Sequence, residues 1–283
     1  MKNKIGLGTV QWGLNYGISN SNGIPSDEEL KLISILASNN DIDCLDTATG
    51  YGNAEERIGK NFSSSFKIVT KIGKVKSEID LKNQLNKSFT NLKRSTIYGC
   101  LFHDYKELIN NKDLWKALSD QKSQGKIIKI GYSLYAPNEL QQLLELNYIP
   151  DIIQIPFNVL DRKFSPYFNF LKEKNVEIHA RSIFLQGLLL KSEKSIPEKV
   201  NGLKEEISLL NTIADDAKKS LLEVCLGYVK QQTCIDKLIL GIETSNQLKQ
   251  ILSADTNLTQ KTLETIDNIQ VREKKLLNPS TWQ

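Results

Sequence analysis

Eight short runs of β-branched and other apolar residues punctuate the chain, at 4–8, 43–46, 66–71, 97–102, 127–132, 151–155, 176–181 and 236–240. Continuous apolar runs of this length are what strands covered on both faces look like. Between most of them the apolar positions recur at helical spacing: Leu30, Ile33, Ala37; Leu81, Leu85, Phe89, Leu92; Leu114, Ala117, Leu118; Leu140, Leu143, Leu144; Leu221, Val224, Cys225, Val229; Leu248, Ile251, Leu252. Such spacing places one apolar stripe on each helix. Strand and helix alternating in this way call for parallel strands joined by right-handed crossovers. Closing that sheet gives an α/β fold of the (β/α)8 TIM-barrel type.

Two stretches depart from the alternation. A polar interval runs from Leu190 to Lys219 and contains a charged, proline-bearing segment, Ser192 to Val200. It reads as a long loop that borders a pocket, or as a tolerated surface insertion. From Thr262 the tail begins as an amphipathic helix carrying Leu263, Ile266 and Ile269, and then becomes loop. No repeat or interdomain linker is evident, so residues 1–283 are expected to form one domain.

The ends of the early strands carry chemistry. The second run stops at Asp46, the third at Lys71 and the fourth at His103, and Tyr51 follows Asp46 inside Gly50-Tyr51-Gly52. Glycines flanking the tyrosine let its phenol stand clear of the backbone. Asn53 and Glu56 form a weak capping-box pattern ahead of a helix over 54–60. Taken singly, each group has an ordinary explanation: a packed tyrosine, a solvated lysine, a satisfied core histidine. Three successive strands ending in ionisable groups, at the rim where barrels hold their active sites, are harder to explain that way.

The segments LGTVQWG, LDTATGYGNAEERIG, VTKIG, CLFHD, GYSLY, IIQIPFNVLD, ARSIFLQG and LILGIETSNQL together resemble the aldo-keto reductase family over nearly the whole chain. The resemblance implies a catalytic tetrad at Asp46, Tyr51, Lys71 and His103. Reducing a carbonyl with a nicotinamide requires a proton at oxygen, and Tyr51 is the expected acid. A free phenol has a pKa of about 10, which a neighbouring ammonium lowers. Lys71 is expected to supply that charge, Asp46 to keep Lys71 protonated, and His103 to donate, as neutral imidazole, to the substrate oxygen.

Composition narrows the picture without redirecting it. At 40% hydrophobic and 25% charged the 283 residues are ordinary globular protein, and a formal charge of +4 without a basic block gives no nucleic-acid surface. Cys44, Cys100, Cys225 and Cys234 lack CxxC spacing and read as reduced core thiols. With no signal-type segment and no apolar run of membrane-spanning length, a soluble cytoplasmic protein is expected. Gly6-Leu7-Gly8 fails the Rossmann fingerprint, because position 11 is Gln11, and His103 and His179 lack zinc-site spacing, so no metal is expected.

The resemblance also implies an NADP or NAD site. Ser133 and Gln154 match the residues that hold the nicotinamide carboxamide, with Leu134 standing where the family usually has Asn. Arg181 takes the place of the aromatic that stacks on the nicotinamide, and a planar guanidinium can stack there instead. Thr9, Ser182, Phe184, Gln186 and Gly187 are expected along the cofactor path, and Gly241, Glu243, Thr244 and Gln247 at its adenosine end. Where relatives grip the 2′-phosphate of NADP with a basic residue, this chain has Glu243, so NAD should serve at least as well. Trp12 and Tyr16 either wall the substrate pocket or pack in the core. The expected partner is a small carbonyl compound. The alternative is a nucleotide-binding regulatory subunit without turnover, and less so a redox-neutral sugar isomerase.

Overall fold

A computed structural model describes residues 3–18, 20 and 22–282. Eight parallel strands close a barrel in sequence order: β1 Ile5–Gly8, β2 Cys44–Asp46, β3 Lys67–Ile72, β4 Ile97–Phe102, β5 Ile127–Ser133, β6 Ile152–Pro156, β7 Glu177–Arg181 and β8 Lys237–Gly241. β8 returns to β1 with Ile5 opposite Leu238 and Gly8 opposite Gly241, which seals the sheet and leaves no edge. The strands are buried on both faces, as their unbroken apolar runs require.

The crossover helices bury the stripes that the spacing marks. Asp27–Asn39 buries Leu30, Ile33 and Ala37, and its N-cap Ser26 accepts from Glu29 N. Glu78–Leu92 buries Leu81, Leu85 and Leu92 and is capped by Ser77. Leu221–Lys230 and Ser245–Ser253 each start with a reciprocal capping box, Ser220 with Glu223 and Thr244 with Gln247.

Three expectations are corrected. Asn53 precedes the helix Ala54–Asn61 but makes no side-chain cap bond. The polar interval is not simply loop: a helix, Lys204–Asp216, buries Ile207, Leu210, Ile213 and Ala214. Its charged neighbours hide a narrow i, i+3, i+6 stripe, which packs against the C-terminal helix Gln260–Asp267. Nor does Ser192 to Val200 border the pocket; only the flanks, Leu190 and Ser220 to Leu222, line it. No helix among the described residues is long and apolar enough to cross a membrane.

Candidate functional site

Ladder register brings the ionisable strand ends together. Asp46 lies opposite Val69 on β3, and Lys71 opposite Leu101 on β4. Side chains alternate along a strand, so Lys71 shares the face of Val69, and His103 the face of Leu101, each one layer higher. Asp46, Lys71 and His103 therefore point inward from successive strands at the C-terminal mouth. His103 N donates to Ile72 O at 2.7 Å, which ties the histidine to the end of β3.

Tyr51 arrives from the loop after β2, and two glycines decide its position. A Cβ on Gly52, whose φ is +59°, would lie 2.4 Å from Gly13 O, and one on Gly13 would lie 1.9 Å from Tyr51 O. The two loops touch through bare backbone, and no larger residue fits at either position. Gly50 has nothing within 4 Å of a built Cβ, so packing does not demand a glycine there.

Lys71 Nζ donates to Asp46 Oδ2 at 2.7 Å and to Thr47 O at 2.9 Å. The other carboxylate oxygen, Oδ1, accepts from Gln154 Nε2 at 2.6 Å. The same ammonium stands 5.1 Å from the centroid of the Tyr51 ring, and His103 meets that ring edge-on with centroids 5.9 Å apart. Burial would lower the Lys71 pKa, but Asp46 more than offsets it and the ammonium is held above its usual value. Burial dominates at His103 too, and with Lys71 it pushes the imidazole down to about 4, so the ring is neutral at pH 7. For Tyr51 the outcome differs from expectation: burial raises the phenol above its usual value, and the pull of Lys71 is partly cancelled by Asp46. The phenol therefore holds its proton firmly.

Asp46, Tyr51 and His103 open onto a cavity of about 730 Å³, while Lys71 sits behind them, 1% exposed. The size falls in the upper part of the range for ligand pockets. Ser133, Gln154, Arg181, Ser182, Phe184, Gln186 and Gly187 line it, as do Thr9, Tyr16, Gly241, Glu243 and Gln247. Thr9 also donates its hydroxyl to Asp46 O at 2.9 Å. Two expected residues lie elsewhere. Trp12 is fully buried, stacks on Phe62 at 4.9 Å and donates Nε1 to Ile242 O at 2.8 Å, so it is core and not pocket wall. Thr244 caps its helix by accepting from Gln247 N at 3.1 Å and does not line the cavity.

The donor set fits a dinucleotide. Polar groups from the ends of β1, β2, β4, β5, β6, β7 and β8 line a partly apolar cavity, and Gln11 Oε1 is buried in its wall without a hydrogen-bond partner. Ser182, Leu185, Gln186 and Gly187 all have positive φ, an unusual concentration beside the cavity. Gln186 Nε2 donates to Tyr16 OH at 2.9 Å, joining the loops after β7 and β1. At the far end, Glu243 Oε2 accepts from Asn22 Nδ2 at 3.2 Å and Gln247 Nε2 at 3.4 Å. Lys249 is exposed and outside the lining, whereas Gln250 and Ile251 belong to it. Sequence reasoning did not single out Gln11 or Tyr135, which also line the cavity; each lies two or three residues beyond a strand end, which is the available signal.

Comparison with known proteins gives the family and the fold. The chain is 25% identical to rhazimal reductase 2 of Alstonia scholaris, over 93% of this chain and 87% of that protein. It is 28% identical to the L-glyceraldehyde 3-phosphate reductase of Escherichia coli across about half of each, 52% of this chain and 50% of that one. An aldo-keto reductase from Bacillus halodurans, in its holo form, has the same fold with a TM-score of 0.76 at 20% identity, covering 93% of this chain and 91% of that one. The sequence profile of the Aldo/keto reductase family matches residues 4–271, and the chain belongs to that family.

Proposed function

We propose that the protein reduces the carbonyl group of a small molecule with NADH or NADPH, or oxidises the corresponding alcohol, with Tyr51 as the proton donor. The observation that carries this reading is the convergence of Asp46, Lys71, Tyr51 and His103 at one end of a dinucleotide-sized cavity. A bound reduced nicotinamide supplies hydride to the carbonyl carbon. As negative charge develops on the oxygen, the Tyr51 hydroxyl gives up its proton to it, and the nearby Lys71 ammonium stabilises the phenolate left behind. Asp46 keeps that ammonium charged, through a bond of 2.7 Å, where burial would otherwise strip its proton. Neutral His103 donates to the same oxygen and orients it. Ser133, Gln154 and Arg181 hold the nicotinamide end, and Glu243 with Gln247 the adenosine end.

Glu243 favours NAD. It is 8% exposed, and among the described residues no lysine or arginine lies within ion-pairing distance of it. Its carboxylate repels a 2′-phosphate but accepts hydrogen bonds from free ribose hydroxyls.

Purified protein assayed against a panel of aldehydes, ketones and sugars with each reduced cofactor tests the proposal. Cofactor oxidation dependent on a carbonyl compound supports it. Tight cofactor binding with no turnover on any member of the panel, or of the matching alcohols, would point instead to a regulatory nucleotide-binding subunit.

A further inference from the structure

Arg181 ends β7 beside the reacting groups, and its charge is felt at Tyr51, His103 and Lys71. Its plane is fixed from two directions. The guanidinium carbon lies 4.1 Å from the centroid of the Tyr135 ring, and Nη2 donates to Leu134 O at 3.0 Å. Nη1 makes a longer bond, 3.3 Å, to Ser182 Oγ. A guanidinium has five N–H donors, and these two bonds end on neutral acceptors. The nearby carboxylates are committed elsewhere, Asp46 to Lys71 at 2.7 Å and Asp161 to Lys163 at 2.6 Å. Among the described residues no carboxylate pairs with Arg181.

A half-buried cation without a counter-ion is costly to hold in place, and an arriving anion recovers that cost. Because Asp46 and Lys71 neutralise one another, the reacting end of the cavity carries the field of Arg181. We propose that the substrate bears an anionic group, a carboxylate or a phosphate monoester, a few bonds from its carbonyl, and that Arg181 binds it. The pre-oriented fork of the guanidinium suits either anion bidentately. Tyr16 and Tyr135 supply flat apolar wall for the short chain between the two groups. The proposal rests on the reading of the site as a carbonyl reductase, and it gives Arg181 a second task beside the nicotinamide.

The test uses matched substrates: 4-oxobutanoate against butanal for the carboxylate, and glyceraldehyde 3-phosphate against glyceraldehyde for the phosphate. The quantity read is the ratio of kcat/KM between the charged and neutral members, at saturating reduced cofactor and two ionic strengths. Wild type should favour one or both anionic members by about 10-fold or more, chiefly through KM, and less at high salt, as a charge-assisted bond dictates. In Arg181→Met that ratio should fall by about 10- to 100-fold, with part of it retained in Arg181→Lys. Cofactor Kd, followed by fluorescence quenching, supplies the independent readout. No preference in wild type, or an unchanged ratio in Arg181→Met accompanied by weaker cofactor binding, would overturn the anion site and leave Arg181 to the nicotinamide. Reduction of no carbonyl at all would instead overturn the reductase reading, a different outcome from reduction without discrimination.

Discussion

Lys71 is buried to 1% exposure with the Asp46 carboxylate against it, and the protonation of its neighbours is set first by burial and then by that pair. The proposed reduction needs Tyr51 protonated, and because burial holds the phenol above its usual value of about 10, activity should persist up to at least that pH. His103 must be neutral, and its pKa of about 4 places the acid limb of kcat/KM near pH 4 and well below 6.5. A kcat/KM profile across the neutral range checks both: it should stay flat from about pH 5.5 to about pH 9.5, and an acid limb at 6.5 would show that His103 titrates normally. The same depression has a consequence for folding. Protonation of His103 is disfavoured in the native state, so the stability it contributes is present above pH 6.5 and declines as pH falls toward 4. Glu243 gives a second prediction at this scale. Glu243→Arg should raise kcat/KM with NADPH relative to NADH by about 10-fold or more, since charge-assisted bonds contribute roughly 1.5–3 kcal/mol before screening. A strong wild-type preference for NADPH that the substitution leaves unchanged would refute the role given to Glu243.

At the scale of elements, the barrel was legible because each strand is an unbroken apolar run and most crossover helices show a full stripe. The convergence of the candidate groups was legible because Asp46, Lys71 and His103 close three successive runs, which the ladder then aligns on one inner face. The helix Lys204–Asp216 was not, since it opens on Lys204, Glu205 and Glu206 and its apolar Leu209 faces solvent, off the stripe of Ile207, Leu210 and Ile213. Trp12 misled for a different reason: a large aromatic beside the mouth serves the core equally well, and its Nε1 bond to Ile242 O settles it there. The hidden helix is testable. Leu210 is fully buried, so Leu210→Ala should destabilise the fold by about 2–5 kcal/mol in denaturant unfolding, with kcat little changed because the helix does not line the cavity. A loss below about 0.5 kcal/mol would mean that the segment behaves as surface.

For the whole molecule, the closed sheet provides rigid positions and the loops provide the differences that set substrate and cofactor choice. The proposed carbonyl reduction needs the ends of β2, β3 and β4 and the loop after β2 to act as one unit, with Tyr51 delivering the proton. The decisive measurement is the single-turnover rate of cofactor oxidation by a reducible carbonyl in wild type and Tyr51→Phe, with cofactor Kd determined on both proteins. Loss of the proton donor alone should slow the chemical step by about 100-fold or more while cofactor Kd stays within about threefold. A Tyr51→Phe protein that keeps more than about a tenth of the wild-type rate would contradict the account, because a general acid contributes at least about 100-fold.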